Sequence, residues 1–354
     1  MNLSTLGILL ILVLSLKLTT AMFADHNHYV PQALLDKDLT GKTAIVTGAT
    51  GSFGSIVSET LVKQGAYVIL AVRRIDAGSK LAVEINAKGY KGEASAMCID
   101  LSDLSSITNF CDSFKSKHSS LHILLENAAV CGVPNVPVSG TGFEPCLASN
   151  HFGHLFLRHH LEPILAASAP SRVVVVASAL HDRMFTNEPV TLDLDSGDDK
   201  YLGWTTEVNI DTTKQWMAYS RSKLCNVLSA LGASKRFEAK GITIVSLHPG
   251  VDSSTGLFRS SGIFLQVFMR LFGRFMGTQT THQSTQTILY CCLEDEGKLK
   301  NGGYYSQYYK SGYRDGQSGG WPMTSPSPFV TPEYAAKLEE ISYRALGLAI
   351  PPKS

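Results

Sequence analysis

The chain of 354 residues has almost no net charge: 31 lysines and arginines stand against 30 aspartates and glutamates, which leaves +1 at pH 7. That balance excludes the broad basic field on which non-specific nucleic-acid binding depends. The seven cysteines (98, 111, 131, 146, 225, 291 and 292) include no CxxC pair, and no His/Cys cluster has zinc spacing. The sequence therefore predicts no metal site and reads this odd number of thiols as reduced and mostly buried. Glycosylation signals are nearly missing, with one Asn-x-Ser/Thr site at Asn2. No internal repeat, linker or change of composition breaks the chain between residue 42 and about residue 310, which argues for one domain. With 44% hydrophobic and 17% charged residues, that domain has enough apolar material for a sizeable core.

Uncharged apolar runs are also short. LGILLILVLSL, Leu6 to Leu16, ends at Lys17, and LTTAMF continues to Phe23. Eleven residues suit a signal-peptide core, whereas a membrane span needs about 20. Leu6 to Phe23 reaches that length if Lys17 snorkels to the interface, and the residues before it lack the positive charge usual in a signal. Residues 1–23 are thus read as a membrane anchor or a cleaved signal, followed by a linker over 24–40.

Beyond Lys42, β-branched apolar runs alternate with longer helical patterns, the signature of βαβ units. Strands are predicted at 43–47, 67–72, 93–99, 121–126, 172–178, 242–248 and 302–306. The expected fold is α/β, a doubly wound Rossmann sheet of seven parallel strands flanked by helices, spanning 41–310, with an N-terminal apolar helix. VVVVA, apolar at every position, suits a strand covered on both faces. Two embellishments stand out: the partly acidic stretch between Ser178 and Tyr219, and residues 256–277, GLFRSSGIFLQVFMRLFGRFMG, rich in phenylalanine and arginine without acids. The second reads as a core-covering helix pair or as a substrate lid that also touches membrane. Residues 311–354 read as a C-terminal extension.

TGATGSFG, Thr47 to Gly54, follows the first strand and opens a helix from about Phe53. Its backbone N–H groups and the helix dipole can receive a pyrophosphate, with Gly48, Thr50, Gly51, Ser52, Phe53 and Gly54 as the candidate cradle. The second strand ends in Arg73 and Arg74 with no acid, a pattern that favours a 2′-phosphate and hence NADP(H) over NAD(H). The third ends at Asp100 and Leu101, placed to accept from an adenine amino group and to pack by its ring; the Asp100 carboxylate is equally placed to cap the helix opening at Ser102. YSRSK sets Tyr219 and Lys223 four apart on one helix face, where an ammonium can draw a phenol of pKa near 10 toward the working range.

The order of these features resembles the short-chain dehydrogenase/reductase family over about residues 40–310. ENAAV (126–130), ASNHFGHLFL (148–157), SAPSRVVVVASALH (168–181), AYSRSKLCN (218–226) and SLHPG (246–250) are most similar to its retinol dehydrogenase and WW-domain oxidoreductase branch. The three tryptophans are not paired as a WW module requires. The resemblance implies that Tyr219 exchanges the proton and Ser178 binds the same substrate oxygen. It implies that Lys223 holds the nicotinamide ribose and that a relay water sits at the backbone near Asn150. Asn127 would support the strand beside the cofactor, and Pro249 and Gly250 would lie by the carboxamide. It further implies a lipophilic alcohol, aldehyde or ketone as substrate, retinoids being the family's example, with homodimers common. The expected location is the endoplasmic reticulum membrane with a cytoplasmic catalytic domain, or a lumenal or secreted one if the N-terminus is cleaved.

Two departures are visible. The commoner turn, TGxxxGxG, has its middle glycine where Ser52 stands, although TGxxGxxG occurs in extended members; and Glu126 and Ala129 replace residues of the common NNAG. These changes leave a second reading, a catalytically inactive dinucleotide-binding scaffold or redox sensor of the same fold.

Overall fold

The structure, a computed structural model, describes residues 29–133, 136–183, 188–195, 197, 212–250, 252, 280–306 and 320–352. The expected N-terminal anchor or signal (1–23), the apolar segment 256–277 and most of the acidic stretch before Tyr219 lie outside the described residues. Among the described residues, no helix is long and apolar enough to cross a membrane.

Seven parallel strands occupy the predicted runs: β1 (Thr43–Thr47), β2 (Tyr67–Val72), β3 (Glu93–Cys98), β4 (Ile123–Glu126), β5 (Ser171–Val176), β6 (Ile242–His248) and β7 (Tyr304–Ser306). All seven expected parallel strands are present, and β8 (Gly320–Met323) adds an antiparallel edge that was not expected, giving the order β3-β2-β1-β4-β5-β6-β7-β8. GWPM is four residues long and contains proline, which a sheet accepts at its edge, so it carries no strand signature.

The helices are α1 (Gln32–Leu35), α2 (Ser52–Lys63), α3 (Ile75–Asn86), α4 (Leu104–Lys117), α5 (Gly153–Ala167), α6 (Thr212–Glu238), α7 (Thr281–Leu293) and α8 (Pro332–Ala345). Alternation along each strand sorts the core into two layers. Ile45, Ile69, Leu124, Val173 and Val175 face the layer covered by α4, α5, α6 and α8. Ala44, Val46, Val68, Leu125, Val174 and Val176 face α2, α3 and α7. Burial on both faces is why these strands read as unbroken apolar runs.

The segment expected as a linker is attached at its described end. Val30, Leu34 and Leu39 lie in the core layer of α2 and α7, and Gln64 donates to the Leu34 and Leu35 carbonyls at 2.7 and 3.0 Å. The expected C-terminal extension likewise contributes core: Ala335, Leu338 and Ile341 of α8 are buried with α5 and α6. Thr331 caps α8 by accepting from the Tyr334 N–H, and Pro332 occupies the first turn, where its missing N–H costs nothing.

The strand order reverses between β1 and β4. Open α/β sheets place their ligands beyond the carboxyl ends of the strands at such a point.

Candidate active site

The glycine turn leaves β1 and enters α2 at this end of the sheet. Gly48 has φ +63° and lies against Ala128, where an added Cβ would come within 2.9 Å of the Ala128 Cα. At Gly54 a Cβ would stand 2.5 Å from the Gly48 carbonyl oxygen and 3.0 Å from the Asn127 side-chain nitrogen. Gly51 is the N-cap of α2, and no side chain caps that helix. Its first-turn N–H groups and positive dipole end are thus available to an anion. Thr50 is exposed, Ser52 and Phe53 are half-buried in the first turn, and Phe53 packs on the core. This side-chain-free cradle fits a dinucleotide pyrophosphate even with serine at position 52.

Arg73 and Arg74 follow β2, both exposed, and Arg74 is the N-cap of α3 without a side-chain cap bond. No acidic side chain stands between β2 and them. Asp100 does not cap the helix as expected but closes a local turn ahead of it: its Oδ1 accepts from the Ser102 N–H at 2.9 Å and hydroxyl at 2.7 Å, and the helix opens later, at Leu104. The cap of α4 itself is Asp103, which accepts from Ser105 N–H. Leu101 is buried in the core.

Asn127 is the stitch between β1 and β4. Its N–H donates to the Thr47 hydroxyl at 2.8 Å and its side chain to the Thr47 carbonyl at 2.9 Å. Pro249 and Gly250 are buried just past β6, with Gly250 at φ +105°.

The four catalytic candidates converge from three segments. Asn150 is fully buried in a π-helical turn, Ala148–Phe152, that leads into α5. Its side chain accepts from Val130 N–H at 2.8 Å and donates to the Val130 carbonyl and the Ser222 hydroxyl, each at 2.9 Å. Ser178 lies two residues beyond β5 and accepts weakly from Leu180 N–H at 3.2 Å. Tyr219 and Lys223 project from one face of α6, with the ammonium 5.5 Å from the ring centroid. Lys223 donates to the Val176 carbonyl at 2.7 Å.

The expectation that Lys223 sets the acidity of Tyr219 needs revision. Burial pushes the phenol well above its ordinary value, the neighbouring Cys131 adds to this, and a hydrogen bond with Ser178 pulls in the opposite direction. Burial also lowers Lys223, to about 8, against the raising influence of Cys131, Cys146 and Glu126. Desolvation outweighs Coulomb attraction here because both groups are almost wholly removed from water. The arrangement presents a neutral phenol, a proton donor, backed by an ammonium.

Several side chains at the site were not singled out by the sequence. His154 sits one turn after Asn150 and is buried, its pKa lowered to about 3 chiefly by desolvation. A carbonyl only accepts, so its Nδ1 donates to Asn150 O at 3.1 Å and the neutral ring's Nε2 accepts from the Thr47 hydroxyl at 3.0 Å. His181 holds the Ser178 carbonyl at 2.7 Å in the same manner and accepts from Ser325 at 2.6 Å. The i,i+4 spacing of Asn150 and His154 was the available signal for the first; the second depends on Ser325, distant in sequence. An apolar patch of Val130, Cys131, Leu180, Trp216 and Met217 adjoins Tyr219, with Trp216 edge-on to its ring at 6.0 Å. Among the described residues no group of His, Cys, Asp and Glu could hold a metal ion.

A family model described as short chain dehydrogenase matches residues 42–189. The chain is 36% identical over 281 residues to retinol dehydrogenase 12 of Bos taurus, a match covering 78% of this chain and 81% of that one. It is 34% identical over 284 residues to the WW domain-containing oxidoreductase of Gallus gallus, over 80% of this chain and 65% of that protein, less than two thirds of its length. A crystal structure of an uncharacterized protein from Mycobacterium paratuberculosis matches with a TM-score of 0.65 at 25% identity, covering 89% of this chain and 97% of that one. By sequence and by fold, this chain belongs to the short-chain dehydrogenase/reductase family, in its retinol dehydrogenase-like branch.

Proposed function

We propose that the protein is an NADP(H)-dependent oxidoreductase that interconverts a lipophilic alcohol and its aldehyde or ketone. The observation that carries this reading is the convergence of Ser178, Tyr219, Lys223 and Asn150 at the carboxyl edge of the sheet, beside a glycine cradle shaped for pyrophosphate. When bound, the dinucleotide supplies or accepts the hydride; the chain's own residues supply orientation and proton traffic. Gly48, Gly51, Ser52 and Gly54 would hold the pyrophosphate, and Arg73 and Arg74 the 2′-phosphate. Lys223 and Asn127 would hold the nicotinamide half, with Pro249 and Gly250 beside it. In the reductive direction Tyr219 protonates the substrate oxygen, Ser178 hydrogen-bonds that oxygen, and Lys223 and the Asn150 backbone return the proton from solvent. A phenol held neutral by burial favours this direction.

The apolar residues beside Tyr219 support a lipophilic substrate: retinoid-like, steroid or another apolar carbonyl compound. We further propose that residues 1–23 place the domain at a membrane, on the cytoplasmic face of the endoplasmic reticulum, with a cleaved signal and a lumenal protein as the alternative. Intact mass of the N-terminus from native membranes separates the two. Homodimerisation is a further proposal, tested by sedimentation.

The central test is NADPH-dependent reduction of a panel of apolar aldehydes and ketones, retinaldehyde among them. Turnover that Tyr219→Phe abolishes while NADPH still binds supports the reading. NADPH binding without turnover on any member of the panel would instead favour the inactive scaffold.

A further inference from the structure

Glu126 ends β4 at the floor of the site and is 2% exposed, a carboxylate buried where the family's common pattern has asparagine. Its nearest cation is Arg158 of α5, and the geometry of that pair is poor. One guanidinium nitrogen, Nη1, approaches both oxygens, at 3.2 and 3.4 Å, instead of two nitrogens meeting two oxygens at the usual 2.7–2.9 Å. The second nitrogen of Arg158 is turned away to the Ser229 hydroxyl. Arg158 therefore leaves part of the carboxylate charge unsatisfied in a dry interior.

The other cation within reach is Lys223. In the sheet register Glu126 lies opposite Val175, and Lys223 donates to the carbonyl of the next residue, Val176. Around Lys223 stand the Tyr219 ring and the thiols of Cys131 and Cys146, both held protonated by burial. His154, on α5, is neutral. Among these groups Glu126 is the one anion.

We propose that Glu126 is a positioning residue for Lys223: a buried counter-ion that keeps the lysine charged beneath the reacting tyrosine, with Arg158 competing for the same carboxylate. The charge effects agree in both directions. Burial pushes Glu126 up to about 7, with Arg158 and then Lys223 pulling it down, and Glu126 in turn is among the groups that raise Lys223. A lysine lowered to about 8 is close to losing its proton at working pH, so the presence of one anion sets where activity ends on the alkaline side.

This inference rests on the proposed reductase activity, and the test separates the two. The alkaline limb of kcat/KM and the pH dependence of NADPH affinity, followed by fluorescence, are measured on the full chain and on Glu126→Gln, Arg158→Met and the double variant, each checked for folding by its thermal transition. Glu126→Gln leaves Arg158 unbalanced beside Lys223 and should move both limbs to lower pH by about one unit. Arg158→Met gives Lys223 the whole carboxylate and should move them upward, and the double variant should lie between. A structural role alone lowers stability or kcat in every variant and leaves the limbs in place, which overturns the inference. If NADPH binds and its pH limb moves as described while no carbonyl is turned over, the activity falls and the role of Glu126 stands.

Discussion

Tyr219 is caught between burial, which raises its pKa, and the Ser178 hydrogen bond, which lowers it. It is thus a donor waiting for an acceptor, and removal of its hydroxyl should cost at least about 10²-fold in kcat, the ordinary size of a general-acid contribution. Tyr219→Phe should leave the thermal transition and NADPH affinity near wild type, since phenylalanine keeps the ring that packs against Trp216 and Cys131 and removes only the hydroxyl. Trp216, edge-on to Tyr219, makes a separate prediction about substrate choice. Trp216→Ala should raise KM for long apolar aldehydes several-fold, on the order of 1–2 kcal/mol of lost apolar contact, while leaving short polar carbonyls unaffected. Equal loss on both substrate types would remove Trp216 from the substrate wall.

The element that defines the cofactor half is the β1 turn into α2. Gly54→Ala forces a methyl against the Gly48 carbonyl and the Asn127 side chain, atoms fixed by their own hydrogen bonds. The expected outcome is about 1–3 kcal/mol of destabilisation with a large loss of NADPH affinity, read by urea unfolding and fluorescence titration. This turn was legible in the sequence because glycine spacing after an apolar run reports backbone geometry directly. So were the parallel strands, whose all-apolar runs follow from burial on both faces. The pairing of Tyr219 with Lys223 on α6 was legible from i,i+4 spacing. The sign of the effect on Tyr219 was not, because a sequence gives separation along a helix but not desolvation. The eighth strand and the contributions of α8 were hidden for a different reason: a proline-containing four-residue edge has no period, and α8 acquires its meaning from contacts with α5 and α6, more than 90 residues earlier in the chain.

Over the whole molecule, α8 closes the face formed by α5 and α6. Gly232 of α6 lets the helices approach, since an added Cβ would stand 3.2 Å from the Ala335 carbonyl. Arg236 links Glu162 of α5 to Glu339 and Tyr343 of α8. Through α8, Ser342 also hydrogen-bonds His151 in the π turn beside Asn150, at 2.8 Å. Four buried histidines then set the acid limit of the fold. Desolvation holds His151, His154 and His248 down to about 3 and His181 to about 4, from an ordinary 6.5. Unfolding lets each take up a proton, so stability is complete above pH 6.5 and is lost as pH falls toward 4, by about 1.4 kcal/mol per pH unit for each histidine. Glu126, raised to about 7, runs the other way: its contribution is present below 4.5 and is lost as pH rises through 7. Four groups outweigh one, so urea midpoints should fall steeply between pH 6.5 and 4; a flat profile there would mean that these rings meet water. The central claim is nonetheless one of chemistry, and its most direct measurement is NADPH consumption by the full chain on a panel of apolar aldehydes, with Tyr219→Phe run beside it and NADPH binding recorded in the same samples. The account predicts turnover by the native chain, loss of at least about 10²-fold in the variant, and equal NADPH binding by both. Equal turnover by the two, or binding of NADPH by the native chain with no turnover on any aldehyde, would contradict it.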